Sequence, residues 1–195
     1  ISRLGAERYM IVVNSGMGAV VCNHLKELSE GEVHLDDYTD ELGKIDLQGP
    51  ASAAILQHLL SDPEQVLTDM SYFSLKGDIF AGGSDSLELK DGTRVIVSRT
   101  GYTGEFGFEL FTLKDHASKL WNTLLDAGES FGLLPCGLAA RDSLRAGAML
   151  PLSHQDIGNW LFAHTPWSFV LPWDVDRQRW TKSFVGSQQL LQGDR

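Results

Sequence analysis

The sequence predicts an α+β fold in which mostly antiparallel sheets carry flanking helices. Val95 to Leu110, VIVSRTGYTGEFGFEL, reads as two strands joined by a glycine-spaced turn. Gly82-Gly83 and Asp91-Gly92 are hairpin signals, and hairpins join antiparallel neighbours. Helix-period stretches alternate with the strands, yet the hairpin signals favour antiparallel pairing over a doubly wound parallel sheet.

Taken in order, Arg8 to Asn14 (RYMIVVN) has the look of a buried strand. Ser15-Gly16 caps Met17 to Leu28, a helical stretch with Val20, Val21, His24, Leu25 and Leu28 on one side. Ser29 to Gly31 ends it. Val33 to Thr39 is a short acidic strand or loop, with Asp36 and Asp37 on a solvated rim. Lys44 to Leu47 forms a strand leading into Gln48-Gly49-Pro50. Pro50 suits a first helical turn, Ala51 to Leu60 continues the helix, and Asp62-Pro63 closes it.

Leu67 to Leu75 is mixed, with Tyr72 and Phe73 near its end. Hairpin turns flank Ser86 to Lys90. Beyond the central strand pair, Leu113 to Ala127 is an amphipathic helix with Leu120, Trp121 and Leu124 inward. Gly132 to Pro135 is a loop and Gly137 to Met149 a second helix. From Leu150 the chain is irregular and aromatic, with Trp160, Phe162, Trp167, Phe169, Trp173 and Trp180. Phe184-Val185-Gly186 then precedes a short helix. No repeat or low-complexity linker divides the chain, so residues 1–195 are expected to form one domain.

The 195 residues are 43% hydrophobic and 22% charged, an ordinary globular composition. A formal charge of −10 argues against a nucleic-acid groove or an anionic membrane surface. The two cysteines, Cys22 and Cys136, make neither a disulfide framework nor a zinc cluster and fit a cytoplasmic protein. The six histidines show no metal-ligand spacing, so no metal is expected. Cys136 precedes a helix start, yet without a base in sequence it reads as a packed core residue. No run of eighteen apolar residues appears. The chain opens at Ile1, which suggests a piece of a longer protein.

Gly101, Gly104 and Gly107 lack the helix that a phosphate or dinucleotide loop needs, so they read as a tight loop beside a ligand. Glu109 interrupts the second strand. A carboxylate there matches a planar ring presenting two adjacent N–H donors, such as a 2-amino-4-oxopyrimidine edge. The competing reading is an exposed strand residue. Arg141 and Arg145, four apart on one helical face, could clamp a ligand carboxylate or pair with Asp142 or another acid.

SRTGYTGEFGFEL and, downstream, CGLAARDSLRAGAMLPLSHQDI resemble two signature blocks of the glycine cleavage T-protein (aminomethyltransferase) family. RLGAERYMIVVN, KIDLQGPAS and Phe184 to Leu191 resemble further segments of that family. The resemblance implies the family's folate-binding domain type, with tetrahydrofolate as cofactor. Glu109 matches the glutamate that holds the pteridine, Tyr102 a pocket tyrosine and Arg141 a pocket arginine. Tyr72 and Trp173 fall near further aromatic pocket positions.

The implied reaction moves a one-carbon unit from an aminomethyl or N-methyl donor to tetrahydrofolate, with a lipoyl carrier protein as a possible partner. The family's catalytic aspartate would lie upstream of Ile1 and its C-terminal barrel beyond Arg195. The chain alone is therefore expected to bind rather than catalyse. A folate-dependent demethylase, the folate domain of a dimethylglycine or sarcosine dehydrogenase, and a non-catalytic folate-binding or assembly protein are the alternatives.

Overall fold

The computed structural model describes residues 1–29, 31–80, 86–160 and 168–192. It divides into two units, residues 1–144 and 145–195. The expected α+β class holds: among the described residues every strand pair is antiparallel, and helices accompany the sheet.

In the first unit, β1 (Ser2–Arg3) and β2 (Tyr9–Met10) form a small ribbon, followed by α1 (Gly18–Leu28). The main sheet is built from β3 (Leu42–Gln48), β4 (Leu75–Lys76), β5 (Leu87–Glu88), β6 (Arg94–Ser98) and β7 (Gly107–Leu113). Its order is β3-β7-β6-β4, with β5 also paired to β6. Between these strands lie α2 (Ser52–Leu59) and α3 (Pro63–Leu67), and after β7 comes α4 (Lys114–Gly128).

Alternation along the strands sorts the sheet into two faces. Leu47, Val95, Val97, Phe108 and Leu110 face Ile55 and Leu56 of α2 and Leu120 and Leu124 of α4 in the main core. Burying each such side chain contributes about 1.5–3 kcal/mol. The opposite face starts apolar, with Phe111 and Ile96 packed on Leu4, Met10, Leu42 and Phe80. It then turns polar at Lys44, Asp46, Ser98 and Glu109. Arg8 is ion-paired with buried Asp78, which ties the ribbon's loop to the segment before Phe80.

Several local expectations change. The strand seen in Arg8 to Asn14 shrinks to Tyr9–Met10, and Ile11 and Val12 are exposed. Its two-residue partner offers no longer edge, and the apolar side chains lack a surface to pack on among the described residues. On α1 only Gly18 is buried. Asp62-Pro63 opens a helix rather than only closing one: the Asp62 carboxylate accepts the Gln65 N–H at 2.9 Å, and Pro63 supplies the preset φ. Trp121, read as inward, is exposed while Leu120 and Leu124 are buried. Cys136, read as core, is exposed. The Asp91-Gly92 hairpin forms as expected, with Leu89 N–H bonded to the Thr93 carbonyl at 2.9 Å. Gly82-Gly83, Phe162 and Trp167 lie outside the described residues.

The unit boundary falls within α5 (Leu138–Gly147). The second unit continues with a π-helical turn at Ser153–Ile157, a 3-10 turn at Ser168–Val170, the ribbon β8 (Trp173–Asp174) and β9 (Arg179–Trp180), and α6 (Ser187–Gln192). Trp173 packs edge-on against Trp180 at 4.7 Å between centroids. Trp180 meets Phe184 at 5.1 Å and donates its indole N–H to the Ser187 carbonyl at 3.0 Å.

Candidate functional site

Register places Glu109 on the central strand of the polar face, with Asp46 of β3 directly opposite on one side and Ser98 of β6 on the other. Lys44, two residues before Asp46, shares that face. Its ammonium donates to Asp46 Oδ1 at 2.8 Å and forms a short ion pair with Glu109 Oε1. The Thr100 hydroxyl lies 2.5 Å from Glu109 Oε2 and 2.8 Å from the Ser98 hydroxyl. Having one proton, Thr100 donates it to the carboxylate and accepts from Ser98.

This is a charged cluster on the sheet rather than a solvated strand face. The side chains of Lys44, Asp46 and Glu109 are 34%, 24% and 19% exposed. Burial pushes the Glu109 carboxyl up, but hydrogen bonds from Lys44 and Thr100 and the Lys44 charge outweigh it and hold the group below its ordinary value. Burial pulls Lys44 down, and its bonds to Asp46 and Glu109 raise it on balance. Glu109 is ionised and fixed in orientation. Oε1 accepts from Lys44 and Oε2 from Thr100, Asp46 stands within hydrogen-bonding range as well, and the roughly four acceptor positions of a carboxylate leave room for further N–H donors.

The glycine turn beside Glu109 is fastened to β3. Gln48 donates its amide N–H groups to the carbonyls of Thr100 (3.2 Å) and Phe108 (3.0 Å) and accepts from the Thr103 hydroxyl at 3.3 Å. The Gly49 N–H reaches the Phe106 carbonyl at 2.6 Å. A Cβ at Gly101 would come within 2.2 Å of Gln48 Oε1, and one at Gly107 within 2.4 Å. Of the three glycines in the spacing, only Gly104 takes a left-handed φ, +76°. The glycines expected to admit a ligand therefore admit Gln48 instead, at least at Gly101 and Gly107.

Tyr102, half-buried, stands on this same turn. Tyr72 contacts Phe73 at 4.4 Å between centroids and lies 5.3 Å from the Arg99 guanidinium. Arg141 is exposed on α5, and among the described residues no hydrogen bond or ion pair joins it to Glu109. Trp173 belongs to the second unit, within its aromatic cluster. The structure thus brings Tyr102 and Glu109 together on one turn and its strand, while its contacts place Tyr72 with Arg99. The arginine clamp does not form: Arg145 is buried and held by Asp156, by Gln155 at 2.9 Å and by the Leu150 carbonyl at 3.3 Å. The Leu152 N–H and then Arg145 keep the Asp156 carboxyl below its ordinary value.

Lys44, Asp46, Thr100 and Gln48 are the site residues that reasoning from sequence missed. Lys44 and Asp46 are two apart in a strand, and so on one face, which is the signal that could have found them. Among the described residues no group of three potential ligands could hold a metal ion, and no helix is long and apolar enough to cross a membrane.

The GCVT N-terminal domain family matches residues 1–179. The aminomethyltransferase of Bacillus subtilis (strain 168) is 37% identical over 157 residues, 80% of this chain and 40% of its own length. That of Geobacillus thermodenitrificans (strain NG80-2) is 40% identical over the same span and shares. That of Geobacillus kaustophilus (strain HTA426) is 40% identical over 159 residues, 82% of this chain and 40% of its own length. The aligned stretch is thus well under half of these relatives.

Proposed function

The chain belongs to the GCVT N-terminal domain family, and from this we infer that it is the tetrahydrofolate-binding portion of an aminomethyltransferase-like protein. Residues 1–195 would form the folate-binding part, with the family's aspartate-bearing segment and barrel supplied by further chain. The observation that carries this reading is the Glu109 carboxylate, ionised, oriented by Thr100 and Lys44, and with acceptor capacity beyond those two bonds. A carboxylate so held fits the adjacent N–H donors of a pteridine edge.

Tyr102 on the clasped turn would flank the ring, and exposed Arg141 would offset the negative glutamate tail. Tyr72 and Trp173 are proposed as further aromatic contacts. Tetrahydrofolate, when bound, accepts the one-carbon unit from an aminomethyl or N-methyl donor. The protein's own contribution is orientation: Glu109 fixes the ring, and the Lys44 counter-charge keeps Glu109 an acceptor throughout. A lipoyl carrier protein would present the donor, and the cytoplasm would be the site of action.

Calorimetric titration of tetrahydrofolate into the wild-type chain and into Glu109→Gln tests this. Losing one partner of a charge-assisted pair costs on the order of 2 kcal/mol, a weakening of at least roughly tenfold. Wild-type binding that is absent, or indifferent to the substitution, overturns the reading. The closed Lys44–Glu109 pair favours one other reading, a non-catalytic protein in which Glu109 serves the sheet alone. In that case Glu109→Gln lowers stability and leaves folate binding unmoved.

A further inference from the structure

A cavity of about 450 Å³ lies on the other side of the sheet from Glu109. Its wall includes Ala53, Leu67, Met70 and Phe108, all of which belong to or pack against the helix-side core. Ser71, Phe106 and two charged residues, half-buried Arg99 and exposed Asp69 at the rim, complete it. The guanidinium centre of Arg99 sits 3.7 Å from the centroid of the Phe106 ring and 5.5 Å from that of Phe108, so aromatic faces hold the cation in place. One N–H goes to the Gly107 carbonyl at 3.2 Å. Of five donors, about four remain.

Among the described residues no carboxylate pairs with Arg99, and no hydrogen bond or ion pair engages the Asp69 carboxylate. Opposite charges that line one cavity without pairing are complementary to a ligand carrying both signs. The backbone also has an unusual shape here. Asp69 and Phe73 both adopt left-handed φ, +54° and +63°, and Phe73 is bonded through its N–H to the Arg99 carbonyl at 3.0 Å. Such conformations persist only where surrounding contacts enforce them, and they gather at ligand sites.

We propose that this cavity binds an apolar α-amino acid or a similarly small zwitterion. The Arg99 fork takes the carboxylate, Asp69 accepts from the ammonium, and the apolar wall takes the side chain. The volume sits near the small end of the roughly 300–1,000 Å³ typical of ligand pockets, suited to an amino acid. A ligand of zero net charge also escapes repulsion by the chain's −10. The site differs from the folate reading in its ligand and in the side of the sheet it uses relative to Glu109, and Tyr72, 5.3 Å from Arg99, is the residue that borders both.

The test is a titration of the 195-residue chain with L-leucine, followed by calorimetry and by amide chemical shifts around Arg99 and Phe106. N-acetyl-L-leucine, lacking the ammonium, and L-leucinamide, lacking the carboxylate, are the controls. Leucine should saturate at millimolar concentration or below, with each control weaker by roughly tenfold. Asp69→Asn, a residue suited to left-handed φ, should remove the preference for leucine over N-acetyl-leucine. Arg99→Lys should weaken both alike. Absence of saturable leucine binding, or binding that ignores both substitutions in variants with wild-type circular dichroism, overturns the proposal.

Discussion

Lys44 is the counter-ion of two carboxylates that face each other across β3 and β7, so replacing it with methionine should reverse how stability depends on pH. Cross-strand partners place their Cβ atoms about 5 Å apart. Two unit charges at that distance repel by about 3 kcal/mol at an effective dielectric constant near 20. Both carboxylates are about a fifth exposed, and solvent screening reduces this to on the order of 1.5 kcal/mol.

In the wild type, Glu109 titrates below its ordinary value. Its contribution is present above the unfolded pKa and is lost as pH falls through the folded one. In Lys44→Met the facing pair retains a proton to higher pH than an ordinary carboxyl. Its folded pKa lies above the unfolded one, so stability declines as pH rises through that range. Urea denaturation of both proteins from pH 4 to pH 8 reads the difference. The two curves should lie closest at the acid end and diverge by about 1.5 kcal/mol toward neutrality. Parallel curves, with the variant lowered equally at every pH, would refute the idea that Lys44 neutralises this pair.

Five further substitutions have expected outcomes. Gly101→Ala should cost about 1–3 kcal/mol by collision with the Gln48 amide, and a Gln48→Ala background should remove that penalty in a double-mutant cycle. Gly107→Ala should gain no such rescue, because the Leu47 carbonyl at 2.7 Å also blocks its Cβ. Asp91 bonds to Lys119 at 2.9 Å and to the Thr93 N–H at 2.9 Å. Burial pushes its carboxyl up, and these partners outweigh that, lowering it to about 2. Its contribution is therefore present above 3.8 and lost as pH falls toward 2, a loss that chemical denaturation of Asp91→Asn should show reduced. Leu110→Ala, at a fully buried position, should cost about 2–5 kcal/mol in thermal or urea unfolding. Trp121→Ala, at an exposed one, should cost less than half of that.

What the sequence made legible follows how local each signal is. Strand alternation in Val95 to Ser98 and Phe108 to Leu110 marked the central pair, because a period of two needs only neighbouring residues. The carboxylate at Glu109 stood out for the same reason: charge inside an apolar strand is visible in one line of text. Its partners were not. Asp46 and Lys44 lie more than sixty residues away and meet Glu109 only through the pairing of β3 with β7.

Register is a tertiary property, and it decided whether Glu109 was exposed or paired. Arg145 shows the same limit, since its ion pair with Asp156, eleven residues on, depends on how the chain folds back after the helix. Arg8 to Asn14 shows the converse: apolar composition suggested a buried strand where the described residues offer little to bury it against.

The grip of Gln48 on the turn from Thr100 to Phe108 divides that segment into two classes of position. Thr100, Gly101, Thr103, Gly107 and Phe108 are committed to the fastening through backbone carbonyls, a hydroxyl or the space left by a missing Cβ. Glu105 is exposed on the same turn, whereas the Phe106 ring stacks on the Arg99 guanidinium at 3.7 Å. A substitution at Glu105 can alter what the turn presents to a ligand without moving its frame. Varying that position would explore specificity on a scaffold whose geometry is set from the neighbouring strand.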